Sequence, residues 1–162
     1  MYMLFVLQNF IYLICFTISI VIVVRHGPLG GIFFYPKPVQ KRVFELELVN
    51  EQKTKKRAII YMVSLVIGVV MIPVVFIGIC NDVTDFQVAY IQALIMLEVM
   101  NWYDGIIIDR LWVGHSQFWI IPEVKELPYI KSWKEIFIKR TVTSLIYFIV
   151  AAFIAWLAVS IA

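Results

Sequence analysis

The chain has 162 residues, 62% of them hydrophobic and 15% charged, with a mean hydropathy of +0.90 and a formal net charge of +3. These proportions exclude an ordinary water-soluble domain, whose apolar share is nearer about half, and leave an integral membrane protein as the class to read. They also speak against a nucleic-acid partner, because the basic residues are interleaved with acids and apolar anchors instead of forming a stripe.

All 14 Lys and Arg fall within residues 25–57 and 109–140, and the rest reads as four apolar segments at 3–24, 58–80, 86–108 and 141–162. A helix rises about 1.5 Å per residue and hydrocarbon is about 30 Å thick, so each segment is long enough to cross. The expected fold is all-α: one polytopic membrane domain over 1–162, a four-helix bundle of transmembrane helices with interfacial cytoplasmic segments. The connection 81–85 carries Asp82 and Asp85 and no base. The positive-inside rule therefore puts the N- and C-termini outside and the loops 25–57 and 109–140 in the cytoplasm.

The first span is followed, not preceded, by positive charge, which predicts a retained helix and not a cleaved signal. Cys15 lies deep in it while Cys80 ends the second span, too far apart for a bridge, and both read as small packing residues. In the first loop Gly27, Pro28, Gly30, Gly31, Pro36 and Pro38 exclude a regular helix at its start. The glycine turn after Arg25 and His26 lacks the Lys-Ser/Thr ending of a phosphate-binding loop and reads as an ordinary turn. Phe44, Leu46 and Leu48 alternate with Glu45 and Glu47, but no partner strand is visible, so coil or a short amphipathic piece is expected.

In the second span Ser64 and Gly68, four apart, predict close helix approach, and Pro73 predicts a kink. After the third span, residues 111–121 contain Trp112, Phe118 and Trp119 broken by Gly114, which suits the inner headgroup level or, alternatively, a shallow re-entrant element. Ser132 with Glu135 predicts a capping box that opens an interfacial foot running into the fourth span. There Ala151, Ala155, Ala158 and Ala162 form a small-residue stripe for packing within the bundle or between protomers.

The third span carries the chemistry. At about 100° per residue, Gln87, Tyr90, Glu98, Asn101 and Asp109 share a sector of about 100° if the helix continues through Gly105. Glu98 lies twelve residues from the outer end, hence about 18 Å deep, where a carboxyl without a partner is costly and is expected to keep its proton. The bland alternative is hydrogen-bonded glue to Asn101 or a neighbouring helix. Asp104, Asp109, Arg110, His115 and His26 follow near the inner boundary, with Ser64, Ser144 and Tyr147 at comparable depth on other spans. Arg110 suits phosphate or carboxylate, and His115 with Asp109 suits proton transfer. No His-x-x-x-His, Glu-x-x-His or Cys pair is present, so no metal site is assigned, and no motif names a cofactor.

The leading expectation is a polar intramembrane site, open to the cytoplasmic leaflet, that binds or modifies an amphiphilic or small polar ligand. Catalytic candidates are Asp104, Asp109 and His115; binding candidates are Glu98, Asn101, Arg110, Tyr147 and Ser64. Membrane lipid is the expected partner, with a homo-oligomer or larger membrane complex behind it. Two other classes compete: a non-catalytic oligomerising subunit using the alanine stripe, and a small oligomeric channel or proton pathway using Glu98.

Overall fold

A computed structural model describes residues 2–162 and is all-helical, with no strand among the described residues. The helices are α1 (Tyr2–Val24), α2 (Lys37–Glu45), α3 (Glu51–Cys80), α4 (Phe86–His115) and α5 (Trp133–Ile161). All except α2 are long and apolar enough to cross a membrane.

Three of the four long helices extend beyond the apolar runs, α3 and α5 at capped starts and α4 at its far end. Asn50 accepts from the Lys53 N–H at 2.9 Å and Glu51 pairs with Lys55 at 2.8 Å, so α3 begins in its charged stretch. Asp85 caps α4 by accepting from the Val88 N–H at 2.8 Å. The predicted capping box is formed: the Ser132 hydroxyl accepts from the Glu135 N–H, and the Glu135 carboxylate accepts from the Ser132 N–H.

The alanine stripe is used inside the chain. Ala151, Ala155 and Ala158 are fully buried, as are Ala89 and Ala93 on α4, and α4 with α5 forms the most extensive helix pair; Ala162 is exposed. The close approach in α3 occurs at Gly78 and not at Gly68. A Cβ at Gly78 would meet the Ala158 carbonyl oxygen at 2.6 Å, whereas one at Gly68 would meet nothing within 4 Å. Cys15 and Cys80 are free and exposed, so neither is the packing residue expected.

Proline's effect on α3 is partly compensated by a neighbour. Pro73 has no N–H to offer the Val69 carbonyl four residues back. The Tyr12 hydroxyl, from α1, donates to that carbonyl at 3.2 Å, and beyond the proline Val75–Cys80 winds as a π-turn. At this end of the bundle Gln8, on α1 and 3% exposed, exchanges two amide hydrogen bonds of 2.8 and 3.0 Å with Asn81.

Both long loops lie together at the other end, as a lid on the bundle. Pro28–Phe34 is a 3-10 segment, and α2 buries Val39 and Val43, four apart. Of the alternating stretch 44–48, Phe44 and Glu45 end this helix, which has Pro38 in its first turn, where proline is tolerated; the chain leaves it at Leu46 and turns with Glu47 at φ 53°. In the second loop residues 109–115 continue α4, and two short 3-10 turns bury Trp119, Ile121 and Val124 in the same core as Val39 and Val43. The Tyr35 hydroxyl donates to the Trp119 carbonyl at 2.7 Å, and Trp112 meets the Trp119 ring edge-on at 5.2 Å.

The outer faces of the long helices remain apolar and uncovered. Phe10, Ile59 and Ile149 are 61%, 64% and 75% exposed, within a continuous population of such side chains far larger than a soluble monomer tolerates.

Candidate functional site

The polar centre forms where α4 stops being an α-helix. From Asp104 to Trp112 it is π-helical, with i→i+5 bonding. In an α-helix Asp104 and Asp109, five residues apart, would point about 140° apart. The wider π-turn narrows that angle, and both carboxylates reach one cation on α5. Arg140 is only 4% exposed. Its Nη1 meets Asp104 Oδ2 at 2.6 Å and its Nη2 meets Asp109 Oδ2 at 2.8 Å. Lys131 Nζ adds contacts of 2.9 and 2.8 Å to the two Asp109 oxygens. Glycine is what admits the guanidinium: a Cβ at Gly105 would stand 2.8 Å from Arg140 Nε and 3.1 Å from Ile136 Cγ2.

A chain of hydrogen bonds continues from this cluster toward the middle of α4. Asn101, 1% exposed, donates from Nδ2 to the Arg140 carbonyl at 3.0 Å and to Ser144 Oγ at 3.1 Å. Ser144 in turn donates to Glu98 Oε2 at 2.7 Å. Glu98 Oε1, Trp119 Nε1 and Arg140 Nε are buried with no hydrogen-bond partner among the described residues. Asn101 and Glu98 thus stitch α4 to α5, the bland alternative for Glu98 now with a specific partner.

Beside the ionic cluster lies a cavity of about 280 Å³. Asp104, Asp109, Lys131 and Lys139 form its charged edge, and Phe16, Ile20, Phe34 and Leu65 contribute to its apolar wall, with Tyr35, Tyr61, Trp119 and Tyr129 between. Burial, and then the neighbouring Tyr129, push the Tyr35 phenol above its ordinary range, so it stays a donor to Trp119. Lys139 forms no ion pair within 4 Å among the described residues. Arg140 pairs with both aspartates without itself lining the cavity, and counted with it the cluster holds three cations, Arg140, Lys131 and Lys139, against two carboxylates.

Of the residues singled out from sequence, Asp104 and Asp109 border the cavity and Asn101 abuts the cluster. Glu98 and Tyr147 are half-buried and do not line this cavity. Ser64 is exposed and lines separate crevices. Arg110 turns away, its Nη1 donating to the Lys131 carbonyl at 3.3 Å with its guanidinium carbon 5.2 Å from the Trp133 ring centre. His115 is exposed and contacts the Leu111 carbonyl through Nδ1 at 3.1 Å, and His26 accepts from Arg25 Nε at 2.9 Å, so the two histidines do not join the aspartates.

Arg140, Lys131, Lys139 and Trp119 were not among the sequence candidates. A signal for Arg140 did exist: continuing the alanine stripe backward at helical spacing from Ala151 gives Tyr147, Ser144 and Arg140. Chemically the arrangement favours binding over acid–base work. Both aspartates are held as acceptors by cations, and no histidine reaches them. Among the described residues no three of His, Cys, Asp and Glu stand together as metal ligands.

Comparison with protein-family models, with curated proteins and with solved structures gives no match to this chain.

Proposed function

We propose that the protein is a multi-pass membrane protein that binds a small amphiphile in the cavity at its loop end, with both termini outside and both loops in the cytoplasm. The observation that carries this reading is one cavity with two characters: a charged edge of Asp104, Asp109, Lys131 and Lys139 against a wall of Phe16, Ile20, Phe34 and Leu65. Its volume of about 280 Å³ is at the small end of ligand pockets, which suits a compact molecule or a head with its first few carbons. With Arg140 and Lys131 occupied by the aspartates, Lys139 is the unpaired cation lining the cavity, which favours an anionic or strongly hydrogen-bonding head with Lys139 as its first contact. The alanine face that an oligomerising subunit would present is occupied within the chain, which favours binding over a scaffold role.

Mass spectrometry of small molecules extracted from protein purified in mild detergent tests the reading. Wild type is expected to carry an amphiphile, and Val113→Phe, which narrows the cavity, and Lys139→Ala, which removes its unpaired cation, are expected to lose most of it. Arg110→Ala and His115→Ala, both away from the cavity, should retain it. Equal ligand content in wild type, Val113→Phe and Lys139→Ala overturns the proposal.

A further inference from the structure

A second polar and apolar juxtaposition lies between α1 and α3, with Tyr61 again in its wall. A hollow of about 510 Å³ is lined by Arg25, His26 and Arg57 together with Ser19, Tyr61, Ser64 and Gly30. No carboxylate lines it, and neither arginine forms an ion pair among the described residues. It adjoins a crevice of about 210 Å³ through three shared residues, Ser19, Tyr61 and Ser64. That crevice runs toward the middle of the bundle along Phe16, Leu65, Gly68, Val69 and Ile72 and is almost wholly apolar. Gly68 faces this open space, and a Cβ there would meet nothing within 4 Å.

We infer that this groove is a binding site for an anionic phospholipid, its phosphate between Arg25 and Arg57 and one acyl chain along Gly68. Two independent features agree on that occupant. Guanidinium groups without acidic neighbours select a phosphate and present donors in a fixed fork. An uncovered apolar crevice continuous with them accepts a hydrocarbon chain, which a free phosphate ion would leave empty. The depth order is also that of a lipid: arginines sit where the apolar helices meet the loops, and the crevice extends from there into the apolar belt. The groove adjoins the cavity under Proposed function, with Phe16, Phe33, Tyr61 and Leu65 as common walls, but Arg25, Arg57 and Gly68 do not line that cavity.

Native mass spectrometry of the full chain in mild detergent, with phosphatidylglycerol or phosphatidylcholine of identical acyl chains, tests the inference. Wild type should retain one phosphatidylglycerol in preference to phosphatidylcholine, by about fivefold for each arginine near the phosphate. Arg25→Ala with Arg57→Ala should bring the two lipids to parity. Gly68→Leu, whose Cβ enters open space and whose side chain occupies the crevice, should lower retention of both. Glycerol 3-phosphate should not compete, because it lacks the chain. Parity in wild type, a preference that survives the double arginine variant, full competition by glycerol 3-phosphate, or unchanged retention in Gly68→Leu each overturns it. Because none of these substitutions touches the ionic-edge cavity, the extracted-ligand experiment reads independently.

Discussion

Arg140 neutralises two carboxylates from a position almost closed to solvent, with contacts of 2.6 and 2.8 Å. Removing one partner of such a cluster leaves charge buried without compensation, which costs more than the intact network contributes. Arg140→Met should therefore lower unfolding stability in detergent by about 3–5 kcal/mol. Adding Asp104→Asn and Asp109→Asn should recover most of that loss, because the repulsive charges go with the cation. A single-variant loss below about 1 kcal/mol would mean that water already screens the pair. The two aspartates could be picked out from sequence because acids in or beside an apolar run invite explanation. Arg140 could not be so readily, since a base at the start of a span is what the positive-inside rule expects anyway. The distinction lay in helical phase, where Arg140, Ser144 and Tyr147 continue the alanine stripe, and in a π-turn that no residue pattern announces.

Between elements, the contact of α1 with α3 depends on a carbonyl that proline leaves unbonded. Tyr12 is 2% exposed and its hydroxyl supplies the Val69 carbonyl with a donor that Pro73 cannot offer. Tyr12→Phe should cost about 1–2 kcal/mol, the penalty of a buried acceptor without its partner. In a Pro73→Ala background the backbone N–H of residue 73 becomes available to Val69, and the same Tyr12→Phe change should cost less than about 0.5 kcal/mol. The double-mutant cycle thus predicts a coupling of about 1 kcal/mol, and additive effects would remove Tyr12 from this role. Span positions were legible because 22 apolar residues admit few alternatives in a membrane. Their charged extensions were not, since whether residues 51–57 coil or wind depends on the Asn50 cap and the Glu51–Lys55 pair and not on hydropathy. The lid was less legible still. Its core joins Val39 and Val43 to Trp119, Ile121 and Val124 across about eighty residues of sequence, and local periodicity carries no trace of such a pairing.

At the scale of the molecule, the two ends of the bundle differ in charge. The lid end holds all 14 Lys and Arg, while the opposite end offers Asp82, Asp85 and the neutral Gln8–Asn81 amide pair. Moving the lid across hydrocarbon during insertion would require desolvating those cations, whereas the short turn at 81–85 crosses with two acids, which weigh little in orientation. The expected arrangement therefore exposes the short turn to the outside and keeps the lid, with both hollows that border it, at the inner leaflet. Single cysteines introduced after Cys15→Ser and Cys80→Ser can read this directly, at Thr84→Cys in the short turn and at Lys53→Cys near the lid, both of them exposed positions. In sealed right-side-out vesicles a membrane-impermeant maleimide should label Thr84→Cys at once and Lys53→Cys only after permeabilisation. The reverse order would place Lys139, Arg25 and Arg57 on the outer side, and the amphiphile and phospholipid would then have to come from the outer leaflet.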